Sequence, residues 1–181
     1  MKCPSCKTPD LVPTEIEKGL VSAGCNSCDG VLLPLINYRY WLETIGAEAV
    51  NDNVDQHVEA DDSKSAKICP KCSKLMSKYR VGLEQENRVE LCSHCDEVWL
   101  DSGEWQLLKS LELHDKLPNV FTESWQRQLR VDREKSKLNA HFESVMGEQD
   151  FEKVRVFKEW LDTSVHAADI KHYLTINFDV S

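Results

Sequence analysis

The chain has 181 residues, 41% of them hydrophobic and 29% charged, with a formal net charge of −9. That balance fits a globular protein rather than a disordered chain, and the acidity argues against a surface that coats DNA through many phosphate contacts. The longest uncharged apolar run, Val31 to Ile36, is far short of the roughly 20 residues of a membrane-spanning helix, so no membrane role is expected.

The N-terminal stretch MKCPSCKTPD has no apolar core and no small-residue cleavage site, so no secretory signal is read and a cytoplasmic location is the expectation. In that reducing compartment, eight cysteines point to metal or redox chemistry rather than disulfides. All eight fall in four CxxC pairs: Cys3 and Cys6, Cys25 and Cys28, Cys69 and Cys72, Cys92 and Cys95. Eighteen residues separate Cys6 from Cys25, and nineteen separate Cys72 from Cys92. Two CxxC knuckles brought together by a hairpin place four sulfurs around one point, with Zn–S near ~2.3 Å. The expectation is therefore two Zn²⁺ per chain. Each four-cysteine site is closed to water and so structural rather than hydrolytic. Lys2, Lys7, Lys71 and Lys74 lie close enough in sequence to offset the negative charge of the thiolates.

The two units are tandem repeats. KCPSC matches ICPKC and CNSCDGVLL matches CSHCDEVWL, with Asp29 over Asp96, Val31 over Val98 and Leu33 over Leu100. The offset is 66 residues at the first cysteine and 67 at the last. Between the knuckles, Lys18-Gly19 marks a hairpin turn in the first unit, and the second carries a longer polar turn. Each unit buries too little apolar surface to fold alone. Metal binding, worth roughly 10–16 kcal/mol in zinc-finger peptides, makes up the difference.

The second unit, CPKC followed by LCSHCDEVWLDSGEWQLL, resembles the small bacterial and archaeal zinc-ribbon family named for its similarity to the N-terminal zinc ribbon of transcription factor IIB. The matching positions are Val98, Trp99, Leu100, Asp101, Gly103 and Glu104, with Glu97 where that family often has glycine. The resemblance implies a ribbon fold and zinc binding, and no reaction. Cys92 and Cys95 are expected to close the site, with Val98 to Leu100 packed beside it. Asp101 is expected to cap a helix with Glu104 in its first turn. The first unit keeps the cysteines and Gly30-Val31, then departs into LPLINYRYWLE. The likeness covers residues 1 to 40 loosely and 67 to 110 well.

Residues 46–66 carry six acids, one lysine and no aromatic residue, and read as a solvated linker in which His57 is a polar surface residue. From Thr122 to Gly147 the pattern is helical, but Trp125 and Leu129 lie opposite Val131, Leu138, Phe142 and Val145. Either the helix breaks near Arg133, or one end packs on its own chain and the other on a partner. Phe151 to Leu161 supplies a second amphipathic helix, and LTINFDV at 174–180 alternates as a strand.

The expected architecture is α+β, with two small four-cysteine zinc ribbons and a mainly helical C-terminal region ending in a β-strand. Its divisions are 1–45, a linker 46–66, 67–115 and 116–181. No catalytic or phosphate-binding motif is present, so a non-catalytic module that binds a protein partner is the expectation, and the chain also admits a homodimer. One alternative is nucleic-acid binding through Lys74, Lys78, Arg80 and Arg88, aided by a stripe of Arg127, Arg130, Arg133 and Lys137. Another is a zinc-dependent thiol redox switch or chaperone. His94, His114, His141, His166 and His172 show no ligand spacing. The five tryptophans, Trp41, Trp99, Trp105, Trp125 and Trp160, are expected as core or interface anchors. Trp99 and Trp105 also suit a partner-binding patch beside the ribbon.

Overall fold

The structure, a computed structural model, describes residues 1–44, 60–61 and 65–176. Most of the expected linker, with His57, lies outside these residues. The first ribbon forms β1 (Val12–Glu17), β2 (Leu20–Gly24) and β3 (Val31–Pro34), and runs directly into α1 (Leu35–Thr44). The second forms β4 (Ser77–Arg80), β5 (Arg88–Cys92) and β6 (Glu97–Leu100), followed by α2 (Glu104–Ser110) and α3 (Leu117–Val120). The hairpin turn at Lys18-Gly19 is as read, with Gly19 at φ 82°, where a side chain would be strained.

The two ribbons share one antiparallel sheet, in the order β1-β2-β3-β6-β5-β4. The join is the β3–β6 pair: Val31 faces Leu100, Leu32 faces Trp99, and Leu33 faces Val98. The 67-residue repeat offset carries Val31 onto Val98 and Leu33 onto Leu100, so the outer two pairs exchange and Leu32–Trp99 maps onto itself. A pseudo-two-fold axis therefore passes through Leu32 and Trp99. The chain pairs with itself as two subunits of a dimer would.

Strand alternation sends successive side chains to opposite faces, and at the central strands β3, β6 and β5 both faces of the sheet are buried. Leu33, Val89, Leu91, Val98 and Leu100 pack under the helices with Tyr38, Trp41, Trp105 and Leu108. Leu32 and Trp99 point the other way, into the cysteine knuckles. On the helical side, Trp41 and Trp105 meet edge to face with centroids 6.1 Å apart. Trp41 Nε1 donates to the Lys18 carbonyl at 3.2 Å, while Trp105 Nε1 and Lys109 Nζ both reach Glu17 Oε1 at 3.0 and 2.7 Å. The strand-to-helix switches thus fasten both helices to the first hairpin.

One compact unit extends from Met1 to Val131 and a second from Asp132 to Ser181. Leu117 and Val120 are fully buried in the first unit's core, and Phe121 and Trp125 pack against it. Gln126 covers the outer edge of β4 by accepting from the Arg80 N–H and donating to its carbonyl, at 3.3 and 2.8 Å. A side chain here takes the hydrogen-bonding place of a neighbouring strand.

The helix α4 (Glu123–Met146) starts at Thr122, whose Oγ1 accepts from the Trp125 N–H at 3.3 Å, and runs unbroken past Arg133 to Gly147. No break near Arg133 occurs. Gly147, at φ 79°, ends α4 and begins α5 (Glu148–Thr163), and α6 (Ala167–Thr175) follows. The strand expected from Leu174 is corrected in its first two residues, since Leu174 and Thr175 belong to α6. Ile170, Tyr173 and Leu174 continue a three- and four-residue spacing that the alternation of LTINFDV overlaps. Residues 177–180 of that expected strand lie outside the described residues. No helix among those described is long and apolar enough to cross a membrane.

Candidate metal centres

The local backbone builds four alike knuckles. In each, the residue after the second cysteine is left-handed: Lys7 at φ 68°, Asp29 at 53°, Ser73 at 61° and Asp96 at 54°. That reversal closes tight turns, with the Lys7 and Ser73 N–H groups donating to the Cys3 and Cys69 carbonyls at 2.8 Å and that of Asp29 donating to Cys25 at 2.9 Å. Asp tolerates this conformation better than most residues. The Cys6 amide meanwhile points at Cys3 Sγ, 3.3 Å away.

Cys3, Cys6, Cys25 and Cys28 form one cluster, and Cys69, Cys72, Cys92 and Cys95 the other, with all sulfurs in each within 4.8 Å of one another. Cys3 Sγ lies 3.7 Å from Cys28 Sγ, Cys6 Sγ 4.0 Å from Cys25 Sγ, and Cys72 Sγ 3.5 Å from Cys92 Sγ. A tetrahedron with Zn–S near ~2.3 Å has edges of about 3.8 Å. The two clusters of four cysteines are thus arranged to coordinate one Zn²⁺ each. In each pair the first cysteine is buried and the second half-buried. The ion would sit against the sheet, cross-linking two knuckles, and four thiolates leave it no open position for substrate or water.

Electrostatics point the same way. Burial raises the Cys3 and Cys69 thiols. At Cys25 burial opposes ionisation, but the amides of Ser27 and Cys28 outweigh it and bring the thiol down to about 7. The Lys74 amide does most to bring Cys72 to about 7. Cys95 is pushed up to about 12, first by its hydrogen bond with Cys72 and then by burial. Burial, and then the neighbouring thiols, raise Cys28. Four sulfurs this close share protons, because four thiolates without a cation repel one another. A dication takes the place of those protons, so binding releases them.

A buried polar network joins the clusters through Asp101. Its carboxylate accepts from Trp99 Nε1 at 2.8 Å, from Lys67 Nζ at 2.9 Å and from Ser5 Oγ of the first knuckle at 3.3 Å. Lys67, itself 1% exposed, also pairs with Glu90 at 3.3 Å, and Lys78 reaches the same carboxylate at 3.2 Å. The expected helix cap is half realised. Glu104 Oε2 accepts from the Asp101 N–H at 2.8 Å, but Gly103 occupies the N-cap and the Asp101 carboxylate serves the network instead. Gly30 completes the join, since a Cβ there would overlap the Trp99 ring.

Of the four residues proposed for nucleic acid, Lys78 and Arg80 are mostly buried and committed, Lys78 to Glu90 and Arg80 to Glu86 and the Gln85 carbonyl. Arg88 stands opposite Arg80 and is exposed, and Lys74 lies 3.1 Å from His94 Nδ1. The structure does not gather these four into one free cationic face. Lys2 pairs with Asp10 and Lys71 with Glu97 at 2.9 and 2.6 Å. Trp99 and Trp105 are buried at 0% and 5% exposure, which corrects their reading as a partner patch. Comparisons with protein-family models, curated proteins and solved structures find no match. The ribbon-like motif therefore stands on the two four-cysteine clusters and the strands that carry them.

Proposed function

We propose that the chain is a non-catalytic, zinc-organised binding module, an adaptor whose paired ribbons present a rigid surface to a protein partner. The supporting observation is that both metal clusters are closed sets of four thiols built into the sheet, with Cys3, Cys25, Cys69 and Cys92 buried. Metal so held shapes a surface and offers no reacting position. The likeness to the transcription factor IIB type of ribbon belongs to this reading, with Val98 to Asp101 as its signature.

The test is affinity capture of tagged chain at native expression level, followed by reconstitution with the purified candidate. One stoichiometric protein partner, lost when zinc is stripped from the chain, is the expected result. Turnover of a substrate by the zinc-loaded protein, abolished by substitution within either cysteine cluster, would contradict the reading. Nucleic-acid binding is tested separately by fluorescence anisotropy at low salt, where phosphate contacts are strongest. No affinity is expected, because Lys78 and Arg80 are internally paired.

A further inference from the structure

Helices α4 and α5 carry a surface of their own. A groove of about 210 Å³ lies between α4 and α5, walled by Leu138, Phe142 and Met146 from one helix and Phe151 and Val154 from the other. Small-molecule pockets run upward from roughly 300 Å³, so this groove suits apolar side chains better than a cofactor. Val131, Leu138 and Val145 recur every seven residues along α4, 54%, 54% and 67% exposed. A strict seven-residue stripe is the spacing by which one helix packs along another.

Helices α4, α5 and α6 bury one side chain between them, Leu161. Eight large apolar residues of α4 and α5, from Val131 to Trp160, are meanwhile exposed among the described residues. With an aromatic side chain amounting to roughly 150–250 Å² and an aliphatic one to less, these present on the order of 600 Å² at half exposure. That is about what each partner contributes at the lower end of the standard interface range.

We infer that α4 and α5 pack against the same helices of a second copy of this chain, with apolar side chains of each copy filling the groove of the other. A membrane surface fits less well, because α4 and α5 together carry nine acids against eight bases and anionic lipid favours a basic polar face. A second copy brings a face of the same apolar character, and a two-fold arrangement closes without leaving an unmatched surface. The inference is independent of the adaptor reading, since the ribbons take no part in the interface.

The experiment is sedimentation velocity of the zinc-loaded chain at about 10 μM, a concentration at which an interface of standard size should hold. It compares the wild type, Phe142→Asp with Val154→Asp, and Ile36→Asp on the exposed face of α1. A two-chain mass is expected for the wild type and Ile36→Asp, and a one-chain mass for the double variant, with zinc content unchanged in all three. A one-chain wild type, or a double variant that stays paired, overturns the inference. A photo-crosslinker at position 142 in a mixture of ¹⁴N- and ¹⁵N-labelled chains gives a readout that does not depend on how the variant folds. Mixed-isotope α4–α5 links are expected, while links within one chain only, or to a different protein in lysate, overturn it.

Discussion

Gly30 and Glu104 carry the sharpest consequences of the fold at single positions. A methyl at Gly30 must displace the fully buried Trp99 ring on the pseudo-two-fold axis, so Gly30→Ala is expected to cost about 1–3 kcal/mol, the usual range for overpacking. Urea unfolding of the zinc-loaded chain measures this, and an unchanged midpoint would count against the β3–β6 join. Glu104, 1% exposed, is raised to about 9, first by burial, then by the charges of Asp101 and Glu90, against the pull of the Asp101 amide and Lys67. The folded chain therefore keeps this proton where the unfolded chain, ionising near ~4.3, has lost it. The associated stability is full below the unfolded value and drains away as pH rises toward 9, at up to about 1.4 kcal/mol per pH unit. Glu104→Gln is expected to flatten the stability profile between about pH 5 and 9, and a profile parallel to wild type would contradict that.

Among the elements, what holds the ribbons together is less visible in the sequence than what holds each one. The CxxC knuckles, the Lys18-Gly19 turn and the run from Thr122 to Gly147 are local patterns, set by residues a few positions apart, and each appears as read. The β3–β6 pairing and the Lys67–Glu90–Asp101 network are contacts between segments distant in the chain. Nothing in the residues around Lys67 marks it as buried. The repeat itself points to the join, because two like hairpins, each ending in an apolar strand, can cover those strands by pairing them. The tail shows the reverse error, where a period of two in LTINFDV overlies a helical spacing that wins at Leu174 and Thr175. The network is directly testable. Lys67→Ala leaves the Glu90 and Asp101 carboxylates buried without their shared cation, and the expected cost is about 3–5 kcal/mol. Calorimetry at neutral pH checks it, and a loss under about 1 kcal/mol would show that solvent reaches the site.

For the molecule as a whole, the shared sheet makes the two zinc sites mutually dependent. Ser5 in the first knuckle bonds Asp101 beside the second ribbon, and β3 is completed only by β6. Cys3→Ser with Cys6→Ser is therefore expected to remove the first zinc and also weaken the second, so that chelator strips the remaining ion at least about tenfold faster than from wild type. Equal release rates would mean that the ribbons fold independently despite their common sheet. Acid acts similarly on both sites, because thiol protonation competes with metal, and zinc affinity is expected to fall as pH drops.

The central claim, that two closed four-thiolate sites organise one sheet, is tested most directly by native mass spectrometry of freshly purified chain with the metals counted per chain. Two zinc ions per chain, retained together until both are lost, is the predicted result. One zinc per chain, or none with the CxxC pairs oxidised to disulfides, would contradict it.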